Sequence, residues 1–205
     1  MTGGNGFAPI PAAMEFIFLV ITERQLPSRR RICTFLSIPE SMSFRLICPF
    51  RYWSIRSSAS AAWLMPLFAG RGSEMTAVWQ YLYQYWLTLD EYPALAMLFE
   101  EIAVDEEQHM RILGEIITAL GGDPLLRVGK GYYWTGEFVR PAGSVLDYLK
   151  ANILAEKNAI AEYNRRLKAI DDPYIREVLA RILVDEQSHL DALVDAEETF
   201  ASYGR

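Results

Sequence analysis

Apolar positions recur with helical spacing over the last two thirds of this 205-residue chain. They show no sustained period over its first 60 to 70 residues. From Pro93 the helical pattern runs to Leu120 and stops at Gly121-Gly122. Ser144 with Asp147 has the form of a capping box opening another helix, which runs to about Ile170. Asp171-Asp172-Pro173 then turns the chain into a last helix directed towards the C-terminus. An earlier helix must end near Leu89, before Asp90-Glu91-Tyr92-Pro93. Pro93 and Pro173 stand where a first helical turn tolerates proline, because that N–H has no intrahelical partner. The pattern therefore predicts an all-α fold of four helices.

Charge divides the chain at the same place. Residues 1–72 hold 8 Arg, no Lys and 3 acids, whereas the remainder is strongly acidic and brings the net charge to −6. The acidic part excludes a nucleic-acid platform and favours cation entry. The early part is rich in Ser, Pro and Arg, and residues 1–66 are expected to be irregular and outside the functional fold. A disordered arm, a subunit-wrapping strand and a misread start of the frame are the alternatives for it. Its run Arg29-Arg30-Arg31 is too short to point to nucleic acid. Its apolar run from Met14 to Thr22 is too short for a membrane span and lacks the flanks of a signal peptide. Two cysteines, Cys33 and Cys48, leave no disulfide framework and suit a reducing cytoplasm.

Both histidines of the chain close the same short phrase. Val104-Asp105-Glu106-Glu107-Gln108-His109 returns 80 residues later as Val184-Asp185-Glu186-Gln187-Ser188-His189. On a helix, Glu and His at i and i+3 share a face. Two such pairs facing one another supply most of a shell for two metal ions. The preceding helices repeat as well. Glu74-Met75-Thr76-Ala77-Val78-Trp79-Gln80-Tyr81 parallels Glu156-Lys157-Asn158-Ala159-Ile160-Ala161-Glu162-Tyr163. The stretch from about residue 70 onward is thus two copies of one helical hairpin.

The spacing also sets a level. Glu106 lies 13 residues after Pro93, and Glu74 about 15 before the end of its helix. At about 1.5 Å rise per residue these are about 20 and about 23 Å from the same turn. Glu186 lies 13 after Pro173, and Glu156 about 14 before its helix end. Four glutamates and two histidines therefore fall at one height of an antiparallel bundle.

One Glu from each of two helices, with Glu-x-x-His from each of two others, is the ligand set of ferritin-like di-iron and di-manganese carboxylate proteins. Over roughly residues 70–203 the chain resembles that superfamily. The wording Ser73-Glu74-Met75-Thr76-Ala77, Gln80-Tyr81-Leu82-Tyr83-Gln84, Tyr92-Pro93, Ile112-Leu113-Gly114 and Leu120-Gly121-Gly122-Asp123-Pro124 is most similar to its manganese-catalase-like and rubrerythrin-like branch. The resemblance implies a left-handed four-helix bundle over 67–205, with 121–142 as a long crossover between the second and third helices. It implies Glu74 and Glu156 as outer ligands, Glu106 and Glu186 as bridges, and His109 and His189 each on one ion. Such a donor set suits two manganese or two iron ions. Asp105 and Asp185 would each accept the free N–H of the histidine on the opposite helix. Tyr81 and Tyr163, two turns past the outer glutamates, would bond ligand carboxylates or line the approach. Relatives of this type generally associate, so a homo-oligomer is expected.

Departures from the relatives narrow the chemistry. Rubrerythrin-type peroxidases carry a further Glu where this chain has Ala159, and usually a rubredoxin module with paired Cys-x-x-Cys motifs, absent here. Haem-binding bacterioferritins have Met after the first bridging Glu, where this chain has Glu107, so no haem is expected. Without a built-in electron donor, disproportionation of hydrogen peroxide is the expected activity. Oxygen-driven iron oxidation and a coat or interaction role with structural metals are the competing readings. Dioxygen is the alternative small-molecule partner; no nucleic acid and no membrane is expected.

Each residue also has an ordinary reading. A single Glu-x-x-His on a charged helix is a solvated pair, Asp105 and Asp185 are ordinary surface acids, and Tyr81 and Tyr163 are core filler. Glu100, Glu101, Glu107 and Glu162 read as exposed charges. Trp79, Tyr83, Tyr85 and Trp86 read as core or subunit interface. Pro66, Gly70 and Gly72 oppose a continuous helix leading into Glu74, so a kinked or broken first helix is expected.

Overall fold

The computed structural model describes residues 57–128, 130–141 and 143–203. Expectations placed on residues 1–56 lie outside the described residues. The elements are α1 (Ser58–Ala69), α2 (Glu74–Thr88), α3 (Pro93–Ala119), a two-stranded antiparallel hairpin of β1 (Arg127–Val128) and β2 (Tyr132–Tyr133), a short 3-10 turn (Gly136–Phe138), α4 (Val145–Ala169) and α5 (Pro173–Tyr203). The predicted ends of the last three helices agree with these limits to within about a residue. Their determinants are local. Ser144 caps α4 in a reciprocal box with Asp147, and Asp172 Oδ1 accepts the Tyr174 and Ile175 N–H groups at the start of α5. Gly121, at φ 83°, takes the left-handed turn that ends α3.

The first helix is broken. Ser57 caps α1, accepting the Ser60 N–H at 3.1 Å. Pro66 lies inside α1, and the Gly70 N–H closes it on the Pro66 carbonyl at 3.1 Å. A Cβ at Gly70 would collide with that same oxygen, so only glycine fits the stop. Ser73 then caps a new helix, and Thr76 Oγ1 ties it back to the Gly70 carbonyl at 3.1 Å.

The expected boundary at 66/67 falls within α1. This helix begins at Ser58 and buries Ala61, Leu64, Leu67, Phe68 and Ala69 in one cluster with Ile112–Leu120 of α3 and Ile175–Ile182 of α5. Burial of Leu64, Leu67 and Phe68 contributes roughly 1.5–3 kcal/mol each and outweighs the local cost of one interior proline. Together α1 and α2 take the place of the first helix of the bundle, α1 against the last turns of α3 and α2 against its earlier turns.

A second apolar cluster joins Tyr81, Leu95, Phe99, Ile102, Tyr148, Leu149, Ile153 and Leu193. The residues between the two clusters are polar and buried. The crossover between α3 and α4 is pinned over the start of α2. Trp134 Nε1 donates to Thr76 Oγ1 at 2.9 Å, and Gln80 holds the backbone of Arg140 through both its amide atoms. Phe138 is buried beneath it. No helix among the described residues is long and apolar enough to cross a membrane.

Candidate metal centre

The level predicted from spacing is occupied as expected. Glu74, Glu106, His109, Glu156, Glu186 and His189 meet between the two apolar clusters, each no more than 5% exposed. Glu74 comes from the first turn of α2, Glu156 from the middle of α4, and the two Glu-x-x-His pairs from the middles of α3 and α5. They form two groups. Glu74, Glu106, His109 and Glu186 have ligand atoms within 4.8 Å of one another, and so do Glu106, Glu156, Glu186 and His189. Glu106 and Glu186 belong to both groups.

The atoms divide in the same way. Glu106 Oε2 lies 3.2 Å from His109 Nδ1, and its Oε1 lies 3.4 Å from His189 Nδ1. Glu186 Oε1 lies 3.3 Å from His109 Nδ1, and its Oε2 lies 3.9 Å from His189 Nδ1. Each shared carboxylate thus turns one oxygen to each imidazole. The ring centroids are 6.0 Å apart.

The supports cross between the repeats. His109 Nε2 faces Asp185 Oδ2 at 3.5 Å, and His189 Nε2 faces Asp105 Oδ2 at 3.3 Å. A carboxylate at Nε2 favours the tautomer that leaves Nδ1 free to ligate. Tyr81 on α2 donates its hydroxyl to Glu156 Oε1, and Tyr163 on α4 donates to Glu74 Oε1. The other oxygen of Glu74 lies 3.9 Å from His109 Nδ1.

Four buried glutamates at one level repel one another, and an unpaired buried charge is costly. Burial drives the carboxyls of Glu74 and Glu156 well above the usual range, and Glu106 and Glu186 push the same way. Burial also resists ionisation of Glu106, yet the Glu74 carboxyl and the two imidazoles beside it carry it well below that range. Burial opposes a charged imidazole at His189, but Asp105 and Glu106 outweigh it and push the group up to about 11. His109 rises likewise, burial being overcome by Asp185, Glu106 and Glu186. Protons thus occupy places that cations would take. Glu186 Oε1 and His189 Nδ1 are buried without a hydrogen-bond partner. Two unpartnered lone-pair atoms facing the cluster, in an oxygen-rich set with one imidazole per group, fit a pair of manganese or iron ions.

A cavity of about 330 Å³ reaches the four glutamates from the face between α2 and α4. Thr76, Asn152, Asn158 and Ala159 line its walls, and Arg71, Arg140 and Phe138 complete it. Arg71 stacks over Phe138 at 4.7 Å. Sequence reasoning missed this lining, along with the buried amide pair Gln84–Asn152, joined by bonds of 2.6 and 3.1 Å. A signal existed for Asn152, one turn before Glu156 on the same face. Of the aromatic cluster on α2, Trp79 and Trp86 face outward, 41% and 56% exposed, while Tyr85 packs on the second apolar cluster. Glu162, given no role, holds Arg165 and Arg166.

Comparison with known proteins agrees with this architecture. The family profile of rubrerythrin matches residues 72–197. A probable manganese catalase of Clostridium acetobutylicum is 28% identical over 141 residues, 58% of this chain and 62% of that protein. The chain therefore spans less than two thirds of that relative's length. A manganese catalase structure from Anabaena superposes with a TM-score of 0.67 at 21% identity, over 86% of this chain and 81% of that one. The bacterioferritin of Desulfovibrio desulfuricans, solved for its diiron site, gives 0.59 at 26% identity, over 72% and 83%.

Proposed function

The chain belongs to the rubrerythrin family of ferritin-like helical bundles, and on that premise we propose that it is a di-metal oxidoreductase that disproportionates hydrogen peroxide. The observation that carries the reading is the pair of buried four-residue groups sharing Glu106 and Glu186. Glu74, Glu106, His109 and Glu186 would hold one ion, and Glu106, Glu156, Glu186 and His189 the other. Bound manganese, or iron, supplies a two-electron reservoir through which one peroxide is reduced to water and a second is oxidised to dioxygen.

The chain's own residues do the rest. Asp105 and Asp185 fix the imidazole tautomers, and Tyr81 and Tyr163 hold one oxygen of each outer carboxylate. The small side chain of Ala159 leaves the cavity open to the glutamates, and the neutral amides of Asn152 and Asn158 line it for a small polar molecule. Among the described lining residues the exposed basic side chains are Arg71 and Arg140, whose charge sets no barrier to a neutral substrate. Catalysis by disproportionation asks for no electron donor.

The test is oxygen evolution. Protein loaded with manganese is expected to release dioxygen from peroxide with no added reductant, and a loaded, folded protein that releases none refutes the proposal. Oxygen-driven iron oxidation is the second reading, favoured by the likeness to a bacterioferritin with a diiron site. It predicts dioxygen consumption on adding ferrous iron. The outward Trp79 and Trp86 support association with further copies of the chain.

A further inference from the structure

The ligands of the two groups and the aspartates behind them are related by the repeat, but the partners of those aspartates are not. A shift of 80 residues carries Asp105 onto Asp185, and Glu101 onto Arg181. Arg181 Nη2 lies 2.7 Å from Asp185 Oδ1, while Asp185 Oδ2 faces His109. Among the described residues Asp105 pairs with His189 alone, and its side chain is 57% exposed against 18% for Asp185. Glu101, one turn earlier on the same face of α3, adds a second negative charge there. The imidazoles differ too. His109 Nδ1 is hydrogen-bonded to Glu106 Oε2, whereas His189 Nδ1 has no such partner.

We infer that the two ion positions are unequal, and that the one built on Glu156 and His189 fills first. The inference rests on the metal-pair reading above. A carboxylate at Nε2 makes an imidazole a stronger donor, and a guanidinium bonded to that carboxylate withdraws part of the effect. Arg181 does this to Asp185 and adds a positive charge on the His109 side. Solvent around Asp105 screens its charge but does not reverse its sign. His189 Nδ1 also makes the looser contact with Glu106, 3.4 Å against 3.2 Å for His109 Nδ1, and so surrenders less when an ion takes its place. The first ion is expected to prefer the His189 position by roughly tenfold, the lower end of what outer-sphere partners do to metal affinity.

Because the chain has only two histidines, imidazole NMR reads the two positions separately. Metal-free protein labelled with 15N-histidine would be titrated with Zn²⁺ as a diamagnetic probe, its signals assigned with His109→Gln. The His189 resonances are expected to move over the first equivalent and those of His109 over the second. In Arg181→Gln, a substitution at a partly exposed position, the two steps should close to within roughly threefold. Movement of His109 first, or of both together in the unmodified protein, overturns the inference while leaving the metal pair intact. If neither imidazole moves, the metal-pair reading itself fails, and the inference with it.

Discussion

The hydroxyl of Tyr163, on α4, donates to Glu74, on α2, so the residue that anchors one outer carboxylate belongs to the other repeat. The reciprocal bond from Tyr81 to Glu156 makes the two hairpins depend on one another at the site. Tyr163→Phe would leave Glu74 Oε1 buried without that donor, at a cost of about 1–3 kcal/mol. It should also weaken metal retention about tenfold. Thermal melts and chelator competition check both, and a variant unchanged in the two assays would deny the tyrosine any hold on the site.

His109→Ala is expected to leave the protein with at least one ion fewer than the unmodified chain, and His189→Ala likewise. The double variant should hold neither. Metal analysis after gel filtration measures this directly; two ions per chain in the double variant would mean that the ligand assignment is wrong.

Protons and cations compete for the cluster, which makes stability depend on pH. The raised values of His109 and His189 stabilise the metal-free fold fully below the unfolded histidine value of 6.5. That contribution is lost as pH climbs, for His189 through about 11. The raised values of Glu74 and Glu156 act in the same direction, present below 4.5 and lost as pH rises through them. Glu106, with its lowered value, contributes above 4.5 and loses this in acid. Above neutrality the metal-free chain should therefore weaken while cations bind more tightly. The difference in Tm between manganese-loaded and chelator-treated protein is expected to widen by roughly 5 °C from about pH 6 to about pH 9. A constant or shrinking difference contradicts the proton-for-metal exchange.

Ala159 lines the cavity that reaches the glutamates. Ala159→Glu would place a carboxylate there and obstruct a small substrate. Peroxide turnover should fall on the order of tenfold or more. Metal content should hold, since no assigned ligand is removed. Unchanged oxygen evolution would show that the substrate takes another route.

Much of this architecture is written locally. Ser144 with Asp147, Asp172 before Pro173, and Gly121 after α3 act on backbone groups within a few residues, so their consequences can be read without knowing the fold. The break at Gly70–Ser73 belongs to the same class. The inclusion of α1 in the core does not. Its apolar residues have no period strong enough to announce a buried face, and it is residues across the bundle, Ile117 and Leu179 among them, that give them something to bury against.

By itself the sequence determined the helices, the shared level of four glutamates and two histidines, and the faces they occupy, because helical rise and turn are constants of the backbone. Tertiary structure decided which tyrosine meets which glutamate, that the crossover is pinned over α2 through Trp134 and Gln80, and that Arg181 neutralises one aspartate while its counterpart stays open. Those pairings join residues far apart in the chain. They depend on the distance and rotation between packed helices, which no periodicity within a single helix encodes.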